Sequence, residues 1–158
     1  MKKISIVKMV ISLAIPLIVG GISAALSSEG MASYGNMNKP PLSPPAGTFP
    51  IAWTILYILM GFASYLIIMS EADPGIKMGA IIVYAIQLFM NFMWSIIFFN
   101  RGEYLIAFIW LLILLFVVIL CAYWFFGIRR LAGYLLIPYI LWLTFAAYLN
   151  FGAYWLLK

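Results

Sequence analysis

Aromatic rings and carboxamides at helical spacing are the side chains of this sequence best suited to chemistry. Trp53, Tyr57, Gly61 and Tyr65 recur every four residues, which puts three large rings and one gap on a single helical face. Gln87, Asn91, Trp94 and Phe98 stand at i, i+4, i+7 and i+11, so two amides and two rings share a face of a later segment. Trp142, Ala146, Asn150 and Ala153 form a third such face, with small residues at its centre. Rings stack and amides hydrogen-bond, so these faces together read as a binding site for something flat and apolar. The amides read equally well as glue between helices, and the small residues as a close helix contact.

Ordinary catalysis has little to work with. The chain has one cysteine, Cys121, and no histidine. That excludes an internal disulfide, a His/Cys metal cluster and a haem held by an axial histidine of this chain. Cys121 lies in an apolar run with no cation nearby in sequence to activate it, and reads as a small hydrophobe. No acid–base or nucleophile constellation is present.

These residues must be positioned by membrane helices. Of the 158 residues, 67% are hydrophobic and 8% charged, against ~25% charged in soluble domains. A chain of this length cannot hide that much apolar surface within itself, so the expected solvent is lipid. Five uncharged stretches are long enough to cross a ~30 Å hydrocarbon core as helices: 9–28, 47–70, 78–100, 104–128 and 131–157. None alternates as a barrel strand would. The expected fold is therefore all-α, a single membrane domain over 1–158. The spans as drawn hold no charged residue, which argues against ion-coupled transport. The fourth, around Leu111 to Leu120, reads as lipid-facing. Short links make sequential spans antiparallel neighbours.

The connector 29–46 is long and carries Pro40, Pro41, Pro44 and Pro45. Proline fixes φ and lacks a donor, so the proline stretch reads as stiff and extended. Pro50 falls in the first turn of the next helix, where a missing N–H costs little. A long ordered loop of this kind reads as a lid over a cavity, with a floppy linker as the alternative. The formal charge of +5 is scattered, so no nucleic-acid surface is expected. Lys2, Lys3, Lys8, Lys77, Arg129 and Arg130 fall on the N-terminal side, and Lys39, Arg101 and Lys158 on the other. That bias favours a cytoplasmic N-terminus in a bacterial cell membrane. Lys2 and Lys3 before an apolar run mimic a secretory signal, but an uncleaved first span is preferred.

Four blocks, in order, carry a resemblance: Lys39 to Pro45 (KPPLSPP), Ile51 to Tyr65 (IAWTILYILMGFASY), Gln87 to Phe99 (QLFMNFMWSIIFF) and Pro138 to Asn150 (PYILWLTFAAYLN). Over nearly its whole length the chain resembles the translocator protein / tryptophan-rich sensory protein family (TspO/MBR). The resemblance implies a five-helix bundle with a ligand cavity, a homodimer, and protoporphyrin IX or haem as ligand, with no obligatory cofactor. Sterols and synthetic drug ligands are implied partners too. Phe151, however, stands where the cholesterol-recognition segment has an aromatic hydroxyl, and Leu42 where the family often has tryptophan.

Carried over by motif, the expected ligand-binding residues are Tyr34, Pro44 and Pro45 on the lid side, Trp53, Asn91 and Trp94, and Trp142, Ala146 and Leu149; the helical faces above add Tyr57 and Gln87. Trp53, Trp94 and Trp142 would stack on the macrocycle, Asn91 would orient it, and Lys39 is the nearest cation for its carboxylates. Trp53 and Trp142 are the candidate partners of any light-dependent porphyrin breakdown. Three classes of function stay open: a binding and sensing protein, a facilitative carrier, and a weak photochemical enzyme.

Overall fold

A computed structural model describes residues 3–157. Its helices are α1 (Ile6–Leu26), α2 (Ser28–Gly35), α3 (Thr48–Ile68), α4 (Pro74–Ser95), α5 (Tyr104–Ile128), α6 (Arg130–Leu135) and α7 (Ile137–Leu157). A π-helical turn, Ile96–Asn100, continues α4. Among the described residues there is no strand. Five segments are long and apolar enough to span a membrane: Ile6–Leu26, Thr48–Ile68, Pro74–Asn100, Tyr104–Ile128 and Arg130–Leu157. The chain is thus an all-helical membrane bundle.

Caps explain where the helices begin and end. The Ser5 hydroxyl accepts from the Lys8 amide at the start of α1. Asp73 accepts from the amides of Gly75 (2.9 Å) and Ile76 (3.4 Å), and Pro74 takes the position where no donor is needed. Lys77 Nζ donates to the carbonyls of Ile68 and Ser70, both at 3.0 Å, closing the C-terminus of α3. Lys8, Lys77 and Arg130 therefore stand within the ends of their segments, which corrects the expectation of wholly uncharged spans. The last span is also divided, at Leu136. Pro138, in the first turn of α7, cannot donate to the carbonyl four residues back, so the helix breaks there.

The packing reverses two sequence expectations. α5 is not simply lipid-facing. Its buried residues Ala107, Leu111, Leu114, Val118, Cys121 and Phe125 follow alternating steps of four and three, the seam of a left-handed helix pair, and α5 packs on both α4 and α7. The uniformly apolar sequence conceals this face. α1 is the more exposed helix: it buries Ser12, Pro16, Gly20 and Ser23, while Val7, Val10, Ile11, Ile18 and Ile22 face outward. In lipid, close contact is made by small residues, and leucine-like side chains have no reason to turn inward. Sequential spans are not all close neighbours either. α3 packs chiefly on α1 and then on α6, and only lightly on α4.

The gap at Gly61 belongs to the α1–α3 contact. Pro16 leaves the Ser12 carbonyl without its usual helical donor. A Cβ on Gly61 would lie 2.7 Å from that carbonyl oxygen and 3.2 Å from Pro16 Cγ. The glycine therefore admits α1 and not a ligand. At the far end of the same face, the Tyr65 hydroxyl accepts from the Ser5 amide at 3.2 Å.

The connector is more structured than expected, since its first part is the helix α2. The proline stretch that follows is anchored on α7. Pro40 is buried where a Gly152 side chain would otherwise stand. The Tyr148 hydroxyl donates to the Pro41 carbonyl at 2.6 Å, and the Ser43 hydroxyl to that of Pro40 at 2.7 Å. Of the charge bias, Lys3, Lys8, Lys77, Arg129 and Arg130 lie at the end opposite the connector, and Lys39 and Arg101 lie at the connector end. Lys2 and Lys158 fall outside the described residues.

Candidate functional site

A cavity of about 240 Å³ lies between α1, α3, α4, α7 and the connector. α3 supplies Phe49, Trp53 and Tyr57, one side chain per turn, together with Pro50. α7 supplies Trp142, Ala146, Leu149 and Asn150. α4 and its π-helical turn add Trp94, Ser95, Phe98 and Phe99. Gly20, Ser23 and Ala24 of α1 form a wall of small residues. A side chain at Gly20 would collide with the Tyr57 ring. Tyr34, Gly35, Lys39, Pro44 and Ala46 complete the wall from α2 and the connector.

The rings form two groups, one around Trp53 and Trp142 and one around Trp94 and Phe98. Trp53 stacks on Tyr57 with centroids 5.6 Å apart and meets Trp142 edge to face at 6.3 Å. Phe49 meets Trp142 at 5.9 Å. Trp94 stacks on Phe98 at 5.2 Å, and its Nε1 donates to Asn150 Oδ1 at 3.0 Å. Asn150 in turn donates to the Tyr104 carbonyl at 2.9 Å. Trp142 differs from these, because its buried Nε1 has no hydrogen-bond partner among the described residues. A buried N–H without an acceptor costs about 1–3 kcal/mol.

Eight of the expected residues, Tyr34, Pro44, Trp53, Tyr57, Trp94, Trp142, Ala146 and Leu149, stand on this wall. Three do not. Gln87 and Asn91 lie behind Tyr57 in a closed hydrogen-bond chain, as helix glue would. The Tyr57 hydroxyl donates to Asn91 Oδ1 (3.2 Å), Asn91 Nδ2 to the Tyr139 hydroxyl (2.7 Å), and Tyr139 to Gln87 Oε1 (2.8 Å). The Gln87 amide then donates weakly to Met60 Sδ at 3.8 Å. With both ends of its amide engaged, Asn91 orients Tyr57 and not a guest. Pro45 is exposed, and its carbonyl accepts from the Thr48 amide at the start of α3.

The sequence reading passed over Phe49, one turn before Trp53 at the same four-residue spacing, and Phe99. It also passed over Gly20, whose role depends on which helix packs beside α3. Tyr34 is held by ring contacts with Phe98 (5.1 Å) and Phe99 (5.8 Å), and Lys39 Nζ lies 5.8 Å above its ring. Burial, and to a smaller degree Tyr104, push the Tyr34 phenol above its ordinary pKa, so it is neutral at physiological pH. Among the described residues no group of His, Cys, Asp and Glu is arranged to hold a metal.

The profile of the TspO/MBR family matches residues 12–156. The chain is 36% identical over 120 residues to the tryptophan-rich sensory protein of Cereibacter sphaeroides, covering 76% of this chain and 73% of that protein. It is 38% identical over 123 residues to the translocator protein homolog of Schizosaccharomyces pombe, covering 75% and 74%. It is 31% identical over 151 residues to the tryptophan-rich protein TspO of Archaeoglobus fulgidus, covering 95% and 97%. These likenesses support a membrane sensory or translocator role. With a family profile spanning nearly the whole chain, and relatives above 30% identity along most of their own length, this protein belongs to the TspO/MBR family.

Proposed function

We propose that the protein binds a tetrapyrrole, protoporphyrin IX or haem, in the cavity between α1, α3, α4 and α7. The observation that carries this reading is the meeting of Trp53 and Trp142, from different helices, on an apolar wall with the Trp142 Nε1 unpartnered. An apolar guest gains little by leaving lipid for an apolar cavity. Selectivity must come from shape, ring stacking and the few polar groups. Aromatic contacts contribute roughly 0.5–1.5 kcal/mol each beyond burial.

At about 240 Å³ the cavity is smaller than the ~300–1,000 Å³ usual for a small-molecule site. A macrocycle therefore requires the connector to give way, and the connector acts as a lid. The bound porphyrin under light, with dioxygen as oxidant, would be degraded beside the indoles of Trp53 and Trp142. The excess of cations at the end opposite the connector favours a cytoplasmic N-terminus, in a bacterial cell membrane. A homodimer is the expected assembly.

The test is quenching of tryptophan fluorescence by protoporphyrin IX in the purified protein. Trp53→Phe/Trp142→Phe should weaken binding about tenfold, the loss of roughly 1.4 kcal/mol of ring contact. Unchanged affinity in the double variant overturns the proposal.

A further inference from the structure

A second depression, of about 710 Å³, opens at the connector end of the bundle. α2, the π-helical turn and the loop before α5 line it, with Glu29, Ser33, Asn100 and Arg101 among its polar residues. Tyr34 and Phe99 line both this groove and the inner cavity. Those two rings are the partition between them. The π-helical turn places Phe98 and Phe99 side by side against Tyr34, and such turns recur at functional sites. Gly30 lets α2 settle on this turn, since a side chain there would meet the Phe99 carbonyl. The Tyr34 hydroxyl makes no hydrogen bond among the described residues. The ring can swing aside without breaking one.

Size and charge both point past the partition. The inner cavity alone is below the usual range for a small-molecule site, and the two spaces together are not. Protoporphyrin is an apolar ring with both carboxylates on one edge. The inner cavity is bordered by one charged group, Lys39, whose Nζ already donates to the Gly35 carbonyl at 3.0 Å and covers the Tyr34 ring. The Arg101 guanidinium makes no hydrogen bond or ion pair among the described residues. Its planar fork suits a carboxylate.

We propose that the outer groove is the carboxylate compartment of the ligand site: Tyr34 and Phe99 part, the macrocycle lies in the inner cavity, and Arg101 binds a propionate. The inference rests on the tetrapyrrole reading above. Glu29 borders the same groove and opposes an anion there, which supplies a control of opposite sign.

The experiment compares protoporphyrin IX with its dimethyl ester, by quenching of tryptophan fluorescence in the full-length protein. Arg101 is exposed, so Arg101→Gln should fold. It should weaken diacid binding roughly three- to fivefold, the range of a solvent-exposed ion pair, and leave the ester unchanged. Arg101→Lys should recover part of the loss. Glu29→Gln should tighten the diacid about twofold, since a like charge is removed. Equal effects of Arg101→Gln on both ligands, or none on either, overturn the groove assignment and leave the inner cavity standing. So does a Lys39→Gln variant that alone abolishes the preference for the diacid. If wild-type protein binds neither ligand, the tetrapyrrole reading falls and this inference with it.

Discussion

Polar groups on the two sides of Tyr57 are treated differently. Behind the ring, Gln87, Asn91, Tyr139 and the Tyr57 hydroxyl satisfy one another in an unbroken chain across α3, α4 and α7. In front of it, Trp142 lines the cavity, and its buried Nε1 has no acceptor among the described residues. In hydrocarbon an unmet donor has no water to turn to. The contrast separates polar groups that hold helices together from one left unmatched beside the cavity. Both regions depend on the same scaffold, because α1 closes one side of the cavity while it packs on α3.

The largest effect should come from breaking that scaffold. Gly61→Leu would drive a branched side chain into the Ser12 carbonyl and Pro16, where backbone leaves no room to yield. Overpacking of this kind costs about 1–3 kcal/mol or more. The variant should melt well below wild type in detergent and lose porphyrin binding at the same time. A variant that melts like wild type would show that the gap at Gly61 is not filled by α1.

The comparison itself is sharpened by Tyr139→Phe. This change keeps the ring that meets Trp53 at 6.2 Å but removes the hydroxyl that links Asn91 to Gln87. Side-chain hydrogen bonds in membrane bundles contribute about 0.6–1.7 kcal/mol. Thermal unfolding should shift down by a corresponding amount, with porphyrin affinity little changed. Trp142→Phe should do the reverse, lowering affinity at nearly constant stability. If both variants lose affinity equally, the hydrogen-bond chain is part of the binding site and the division drawn at Tyr57 is wrong.

That division explains what could and could not be read from the residues. The five spans were legible because length and apolarity suffice to mark a helix that crosses lipid. The rings of Trp53, Tyr57 and Trp142 were legible because a four-residue step fixes a face. Gln87 and Asn91 share a face with Trp94 by the same rule, yet only Trp94 reaches the cavity. Periodicity gives the face and not the neighbour, and here Tyr57 and Tyr139 reach the amides first. α5 shows the opposite failure: every face is apolar, so its seam is set by packing alone. Gly61 read as an open notch because nothing local says that Pro16 and Ser12 of another helix fill it. The helix α2 was hidden by the prolines that follow it.

The smallest effect is expected in the connector, where stability is local. Leu42 has φ near +68° and is 82% exposed, a backbone region that costs a side chain roughly 1–2 kcal/mol. Pro40 and Pro41 before it are fixed on α7 through Gly152 and the Tyr148 hydroxyl, and Ser43 after it donates back to the Pro40 carbonyl, so the turn is imposed from both sides and Leu42 absorbs the strain. Leu42→Gly relieves it but frees the unfolded chain by about 0.5–1 kcal/mol, leaving a net gain of a few tenths. Global unfolding should barely move, and cleavage of the connector by added protease in detergent should slow slightly. Faster cleavage would mean that the exposed leucine anchors the connector in the detergent or lipid surface. The stiffness of the connector would then come from the membrane as well as from its prolines.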